Sequence, residues 1–152
     1  MVQQALSWRC GDLVALNRWH RDNMAGQLGI VVTAIGPASI RATMPVDQRT
    51  RQPLGLLHGG ASVALAETLG SVASWLLVSD REGARVAGLE VNASHLTAVR
   101  EGLVTGVCRP LRIGRTVHFW GIEIFDGQGR RSCVARLTVK VSRAQESPPG
   151  KR

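Results

Sequence analysis

The sequence predicts an α+β protein in which a curved antiparallel sheet wraps around one long central helix. Three observations predict it. The run from Gly59 to Val78 is apolar on nearly every side and carries a single ionisable group, Glu67. Two strand-like runs precede it and four follow, each rich in β-branched residues or alternating in polarity. The separators between those runs are short and turn-like. One amphipathic sheet buries an all-round apolar helix only by wrapping it, so these observations converge on a single architecture.

In chain order, Asp12 to Arg21 reads as a short amphipathic helix with Leu13, Leu16 and Trp19 on one face. Gly26 and Gly29 punctuate the approach to a first strand, Leu28 to Ile35. After the Gly36-Pro37 turn, Ser39 to Val46 alternates as a second strand, with Ile40, Ala42 and Met44 facing one way and Arg41 and Thr43 the other. The loop Asp47 to Leu57 feeds the central helix, and Asp80 to Gly83 is a polar break after it. Arg85 to Leu96, Leu103 to Leu111, Thr116 to Phe125 and Arg130 to Ser142 follow as strands. Their close spacing implies successive antiparallel hairpins. One domain is expected over 1–143, with a disordered tail over 144–152 around Pro148-Pro149-Gly150.

The chain has 152 residues and a formal net charge of +8, and every basic residue except Lys140 and Lys151 is arginine. The arginines are scattered from Arg9 to Arg152 without a dense run or interleaved aromatics, which argues against a nucleic-acid partner. Cys10, Cys108 and Cys133 are an odd set without metal-ligand spacing, so neither a disulfide framework nor a metal site is expected. Met1 to Cys10 lacks signal-peptide order, and the one long apolar run contains Glu67 and many small residues. The expectation is a cytoplasmic protein with no membrane partner.

The chemistry concentrates between Gln52 and Glu67. A glycine-hinged loop ends in His58-Gly59-Gly60, and the helix that starts there offers unpaired N–H groups and the positive end of its dipole to an anion. Glu67 stands in apolar surroundings, where an ionised carboxylate is costly unless paired. An anion-stabilising helix start and a buried carboxylate together point to acyl chemistry.

These segments resemble the hotdog-fold thioesterases, over about Asn17 to Val141. The motifs that carry the resemblance are Ala42-Thr43-Met44-Pro45-Val46, Gln52 to Glu67, Gly88-Leu89-Glu90-Val91-Asn92-Ala93-Ser94-His95, and Trp120-Gly121-Ile122-Glu123-Ile124-Phe125-Asp126. The nearest branch hydrolyses aromatic acyl-CoA thioesters and includes the dihydroxynaphthoyl-CoA hydrolases of quinone biosynthesis; siderophore proofreading and aromatic-acid catabolism are the other pathways open. The resemblance implies that Glu67 is the catalytic nucleophile or general base and that the Gly59 N–H meets the thioester carbonyl. It implies that His58 and Gln52 line the reacting centre and that Ser71 places water or carboxylate. Coenzyme A contacts fall on Gly88, on His95, Leu96, Thr97 and Ala98, and on Arg112, Ile113, Gly114 and Arg115. Thr97 departs from relatives that often have arginine there, which leaves a phosphate contact to Arg112 or Arg115. No cofactor or metal is implied, since coenzyme A is part of the substrate.

Eight helical residues separate Gly59 from Glu67, roughly 12 Å along the axis. No single carbonyl reaches both, so if both act, a second subunit supplies one of them. A homodimer with interface sites, or a dimer of dimers, is expected. A thioester suits so sparse a site, because a thiol leaves as thiolate more readily than an alkoxide. Two rivals stand on the same fold: a non-catalytic acyl-CoA sensor and an enoyl-CoA hydratase or dehydratase. A third reads Gly60-Ala61-Ser62-Val63-Ala64 as a nucleophile elbow, which needs a preceding strand and a βαβ sheet that this chain lacks. His20 and His118 have no partner pattern, and Trp8, Trp19, Trp75 and Trp120 read as core or interface.

Overall fold

In a computed structural model that describes residues 12–143, the chain order is α1 (Leu13–His20), α2 (Met24–Gln27), β1 (Val31–Gly36), β2 (Ser39–Pro45), α3 (Gly59–Val78), β3 (Ala84–His95), β4 (Leu103–Ile113), β5 (Val117–Phe125) and β6 (Arg131–Arg143). The tail 144–152, Trp8 and Cys10 lie outside the described residues. Asp12 caps α1, its Oδ1 accepting from the N–H groups of Val14 and Ala15. Leu16 is buried as expected, whereas Trp19 is 59% exposed. Asn17 pins α1 to the edge of the sheet through paired bonds to the backbone of Val32, 2.8 and 2.9 Å. The short helix α2 has no counterpart in the sequence reading, because its four residues are too few to set up a periodicity.

All six strands form one antiparallel sheet in the order β1-β2-β4-β5-β6-β3. The expected hairpins β4–β5 and β5–β6 are present, but β3 and β4 do not pair. Instead β2 pairs with β4, and β3 crosses to the far edge to pair with β6. Short connections constrain where strands end but not which neighbour they take. Here the chain leaving α3 enters the sheet as β3, at the edge opposite β1.

The sheet closes around α3, which packs against β2, β3, β4, β5 and β6. The helix is long and apolar enough to cross a membrane by composition, yet 61% of it is buried inside the structure. Alternation supplies the inner face: Ile40, Ala42 and Met44 from β2, His118, Trp120, Ile122 and Ile124 from β5, and Ala135, Leu137, Val139 and Val141 from β6. Close approach is bought by a missing side chain at Gly70, where a Cβ would lie 2.4 Å from Leu137 Cδ2.

The interior holds one polar knot. Trp120 Nε1–H donates to Ser74 Oγ at 2.7 Å, which leaves the Ser74 hydroxyl proton for His118 Nδ1 at 3.1 Å. Burial, and secondly the charge of Arg81, push the His118 pKa below its ordinary 6.5, against a backbone hydrogen bond at Gly114. A lowered histidine pKa means that the folded state binds the proton less well than the unfolded chain does. The associated stability is therefore intact above about pH 6.5 and is lost progressively as the pH falls from there through the lowered folded-state pKa. Thermal melts between pH 7.5 and 5 should show a falling midpoint, and His118→Gln should flatten that slope. An unchanged slope would remove His118 as the cause.

Candidate active site

The loop before α3 is held open at a fixed shape by backbone bonds. Leu57 N–H donates to Val99 C=O at 2.7 Å, His58 N–H to Thr50 C=O at 2.8 Å, and Gln52 N–H to Leu56 C=O at 2.8 Å. Gly55 takes φ 77°, a left-handed conformation that favours glycine. These ties bring the loop against the segment that follows β3. Gln52, Gly59, His95, Leu96, Thr97 and Ala98 consequently line one cavity of about 310 Å³. Gln52 Oε1 accepts from the backbone N–H of Leu54.

His58 is the N-cap of α3: its Nδ1 accepts from Gly60 N–H at 2.8 Å. That bond uses one of the free donors of the helix start. Gly59 N–H, at the first helical position, has no acceptor among the described residues. The His95 ring packs against Gly59, since a Cβ there would stand 2.7 Å from His95 Nε2. The helix start thus presents a backbone donor into a cavity beside an imidazole. Ser62 lies buried within the first turn of α3, preceded by a loop rather than a strand, so the nucleophile-elbow reading finds no elbow.

Glu67 lies elsewhere. It was expected to be buried, but in the single chain it is exposed, because the sheet leaves the stripe Ala64, Thr68, Ser71 and Trp75 of α3 only partly covered. Its carboxylate rests on the backbone of β3, where a Cβ on Gly88 would be 2.8 Å from Glu67 Oε1. Gly88 adjoins a β-bulge, with the register against β6 shifting between Gly88 and Glu90. Of the residues expected at coenzyme A, Gly88 is therefore the one that adjoins the carboxylate. Gly88→Ala should push the carboxylate aside and lower kcat on the order of 10–10²-fold with a smaller change in KM. Equal kcat in the variant would mean that the carboxylate's seat on β3 is immaterial.

Glu67 and Ser71 share a second cavity, about 370 Å³, with Trp19, His20, Met24 and Trp75. The structure thus separates the residues read from the sequence into two groups, one around Gly59 and one around Glu67. Arg112 to Arg115 join neither group. Arg112 and Ile113 end β4, Gly114 and Arg115 begin the turn to β5, and Arg115 lines a third cavity with Arg81 and Arg143. The sequence reading passed over Trp75, although Glu67, Ser71 and Trp75 are spaced four apart and so share a helix face. Trp19 and His20 carried no such signal, being brought there by α1 from far along the chain.

A curved antiparallel sheet around one long apolar helix is the fold of the hotdog thioesterases. The chain belongs to the thioesterase superfamily, whose family model matches residues 54–133. It is 52% identical over 129 residues to the 1,4-dihydroxy-2-naphthoyl-CoA hydrolase of Escherichia coli (strain K12), covering 85% of this chain and 93% of that one. It is 54% identical over 129 residues, with the same coverage, to the proofreading thioesterase EntH of Cronobacter sakazakii. Among solved structures, a mutant thioesterase from Pseudomonas aeruginosa aligns with TM-score 0.86 at 48% identity, over 90% of this chain and 98% of that one. A thioesterase from Haemophilus influenzae aligns with TM-score 0.87 at 44% identity, over 93% and 99%.

Proposed function

We propose that this protein hydrolyses acyl-CoA thioesters, with a preference for aromatic acyl groups, at sites shared between two subunits. The observation that carries the reading is the division of the site residues between two cavities of one chain. One cavity has the carboxylate and the other has the free helix-start donor, so each supplies what the other lacks. In a dimer, Glu67 of one protomer faces the Gly59 end of its partner. Glu67 either deprotonates a water that attacks the thioester carbon, or attacks that carbon itself to form a mixed anhydride that water then hydrolyses to release the acid and restore the carboxylate. The Gly59 N–H stabilises the oxyanion, and coenzyme A leaves as thiolate. His95 to Ala98, beside Gly59, then lie along the path of the leaving group, and Arg112 or Arg115 meets its phosphates. This chemistry requires no metal and no further cofactor. The name of the first relative supports an aromatic CoA thioester, and that of the second supports a thioester. A cytoplasmic location, with no membrane or nucleic-acid partner, belongs to the same reading.

The test mixes two inactive variants, Glu67→Ala and Gly59→Val, co-expressed so that subunits pair at random. Each mixed dimer has one intact site and one doubly damaged site, so about a quarter of wild-type thiol release from benzoyl-CoA should return. Activity that stays at the level of the separate variants would overturn the shared site. A wild type inactive on every CoA thioester would overturn the enzyme and favour the acyl-CoA sensor.

A further inference from the structure

The third cavity, about 390 Å³, opens where three elements meet at the end of the fold remote from Gly59. The 20 residues of α3 separate Gly59 from that end by about 30 Å, and Arg81 follows the helix there. Arg115 belongs to the β4–β5 turn, and Arg143 is the last residue of β6. All three line the cavity, together with Thr116 and Ser142, whose hydroxyls can donate to a ligand.

Backbone bonds fix these carriers against one another. Arg81 N–H donates to Val78 C=O at 2.9 Å, and Ala84 N–H returns to Arg81 C=O at 3.0 Å. Ala84 in turn pairs with Arg143, where β3 starts beside the end of β6. Gly114 N–H closes the Arg115 turn onto Val117 C=O at 2.9 Å, and Val141 N–H ties that turn to β6 through Thr116 C=O at 2.8 Å.

The positive charge gathered here has no counter-charge. Elsewhere on the sheet, Arg109 and Arg131 converge on a carboxylate, lying 3.4 and 2.6 Å from Glu123. Among the described residues, the lining of this cavity has no carboxylate, although Asp80 and Glu82 flank Arg81 in the chain. Arg81, Arg115 and Arg143 make no ion pair among the described residues. The His118 pKa is lowered first by burial and then by Arg81, so the charge of Arg81 is felt inside the fold. Like charges around one cavity repel, and an anion between them removes the repulsion while accepting charge-assisted hydrogen bonds.

We infer that Arg81, Arg115 and Arg143 form a binding site for a phosphate group, with the Thr116 and Ser142 hydroxyls as further donors. A phosphomonoester presents three terminal oxygens and close to two negative charges near pH 7, one oxygen for each guanidinium. A carboxylate presents only two oxygens and one charge. Two sources offer such a group, the 3′-phosphate of coenzyme A and a free phosphorylated small molecule. With the first, the site rests on the thioesterase reading and deepens it; with the second, it does not depend on that reading.

The experiment compares wild type, the double variant Arg81→Gln/Arg143→Gln, and Arg85→Gln, which removes a neighbouring exposed arginine that does not line the cavity. Thermal melts in inorganic phosphate and in chloride at equal ionic strength read binding directly. Phosphate should raise the midpoint of wild type and Arg85→Gln by about 2–5 °C over chloride, and the double variant should lose that increment. The KM ratio of benzoyl-dephospho-CoA to benzoyl-CoA reads the source. A ratio of about 5–20 in wild type that falls towards one in the double variant assigns the site to the substrate's own phosphate. A ratio that the double variant leaves unchanged, with the melt increment lost, assigns it to a free anion. An increment kept by the double variant, or lost equally in Arg85→Gln, overturns the inference. So does phosphate that stabilises wild type no better than chloride, together with an unchanged KM ratio. A wild type inactive on both esters ends the thioesterase reading and leaves the melts to decide the site.

Discussion

Glu67→Ala should lose about 10²–10⁴-fold in kcat on any thioester the wild type turns over, the range expected when a general base or nucleophile is removed. Its melting midpoint should stay near that of wild type. Both expectations come from the position of the residue. Glu67 is exposed in the single chain, makes no ion pair among the described residues and points away from the buried face of α3 formed by Ala66, Leu69 and Gly70. Removing it leaves no buried group unpaired and no cavity. Measuring thiol release together with a thermal melt separates the two effects. A variant that keeps full turnover would transfer the chemistry to another group and end the carboxylate mechanism. A variant that loses activity only by unfolding would deny the role just as clearly.

Trp120→Ala should be the most damaging single change to stability. The side chain is fully buried against α3, with its Nε1–H on Ser74 and its ring edge-on to His118 at 6.2 Å. Truncation empties the largest buried side chain and strips a donor from the Ser74–His118 pair. A cost of about 3–5 kcal/mol follows for large-to-small changes of this kind. That corresponds to a fall of roughly 6–20 °C in melting midpoint for a domain of this size. Trp120→Phe retains most of the volume and loses the hydrogen bond, so it should cost only about 1–3 kcal/mol. If the two variants melted together, the hydrogen bond rather than the packing would dominate this part of the core.

The segments that could be read from the sequence were those whose signal is local. The bounds of α3 follow from an uninterrupted apolar run behind a His-Gly-Gly start, and the structure places it at Gly59–Val78 as expected. The alternation of Ile40, Ala42 and Met44 likewise became an inward face. The bulge next to Gly88 was not legible, because one extra residue, Leu89, shifts the alternation phase within a strand that still reads as continuous. The pairing of β3 with β6 was not legible either, since partner choice depends on where α3 deposits the chain and not on the strand's own residues.

The candidate site divides along the same line. By itself, the sequence determined the helix, the loop that caps it and the separation between Gly59 and Glu67, since helical rise converts residue spacing directly into distance. Only the tertiary structure decided that Gln52 and His95 share the Gly59 cavity, that the Glu67 carboxylate rests on Gly88, and that Trp19 and His20 close over the second cavity. Those contacts join residues from different elements, and only packing of the whole sheet around α3 sets their positions.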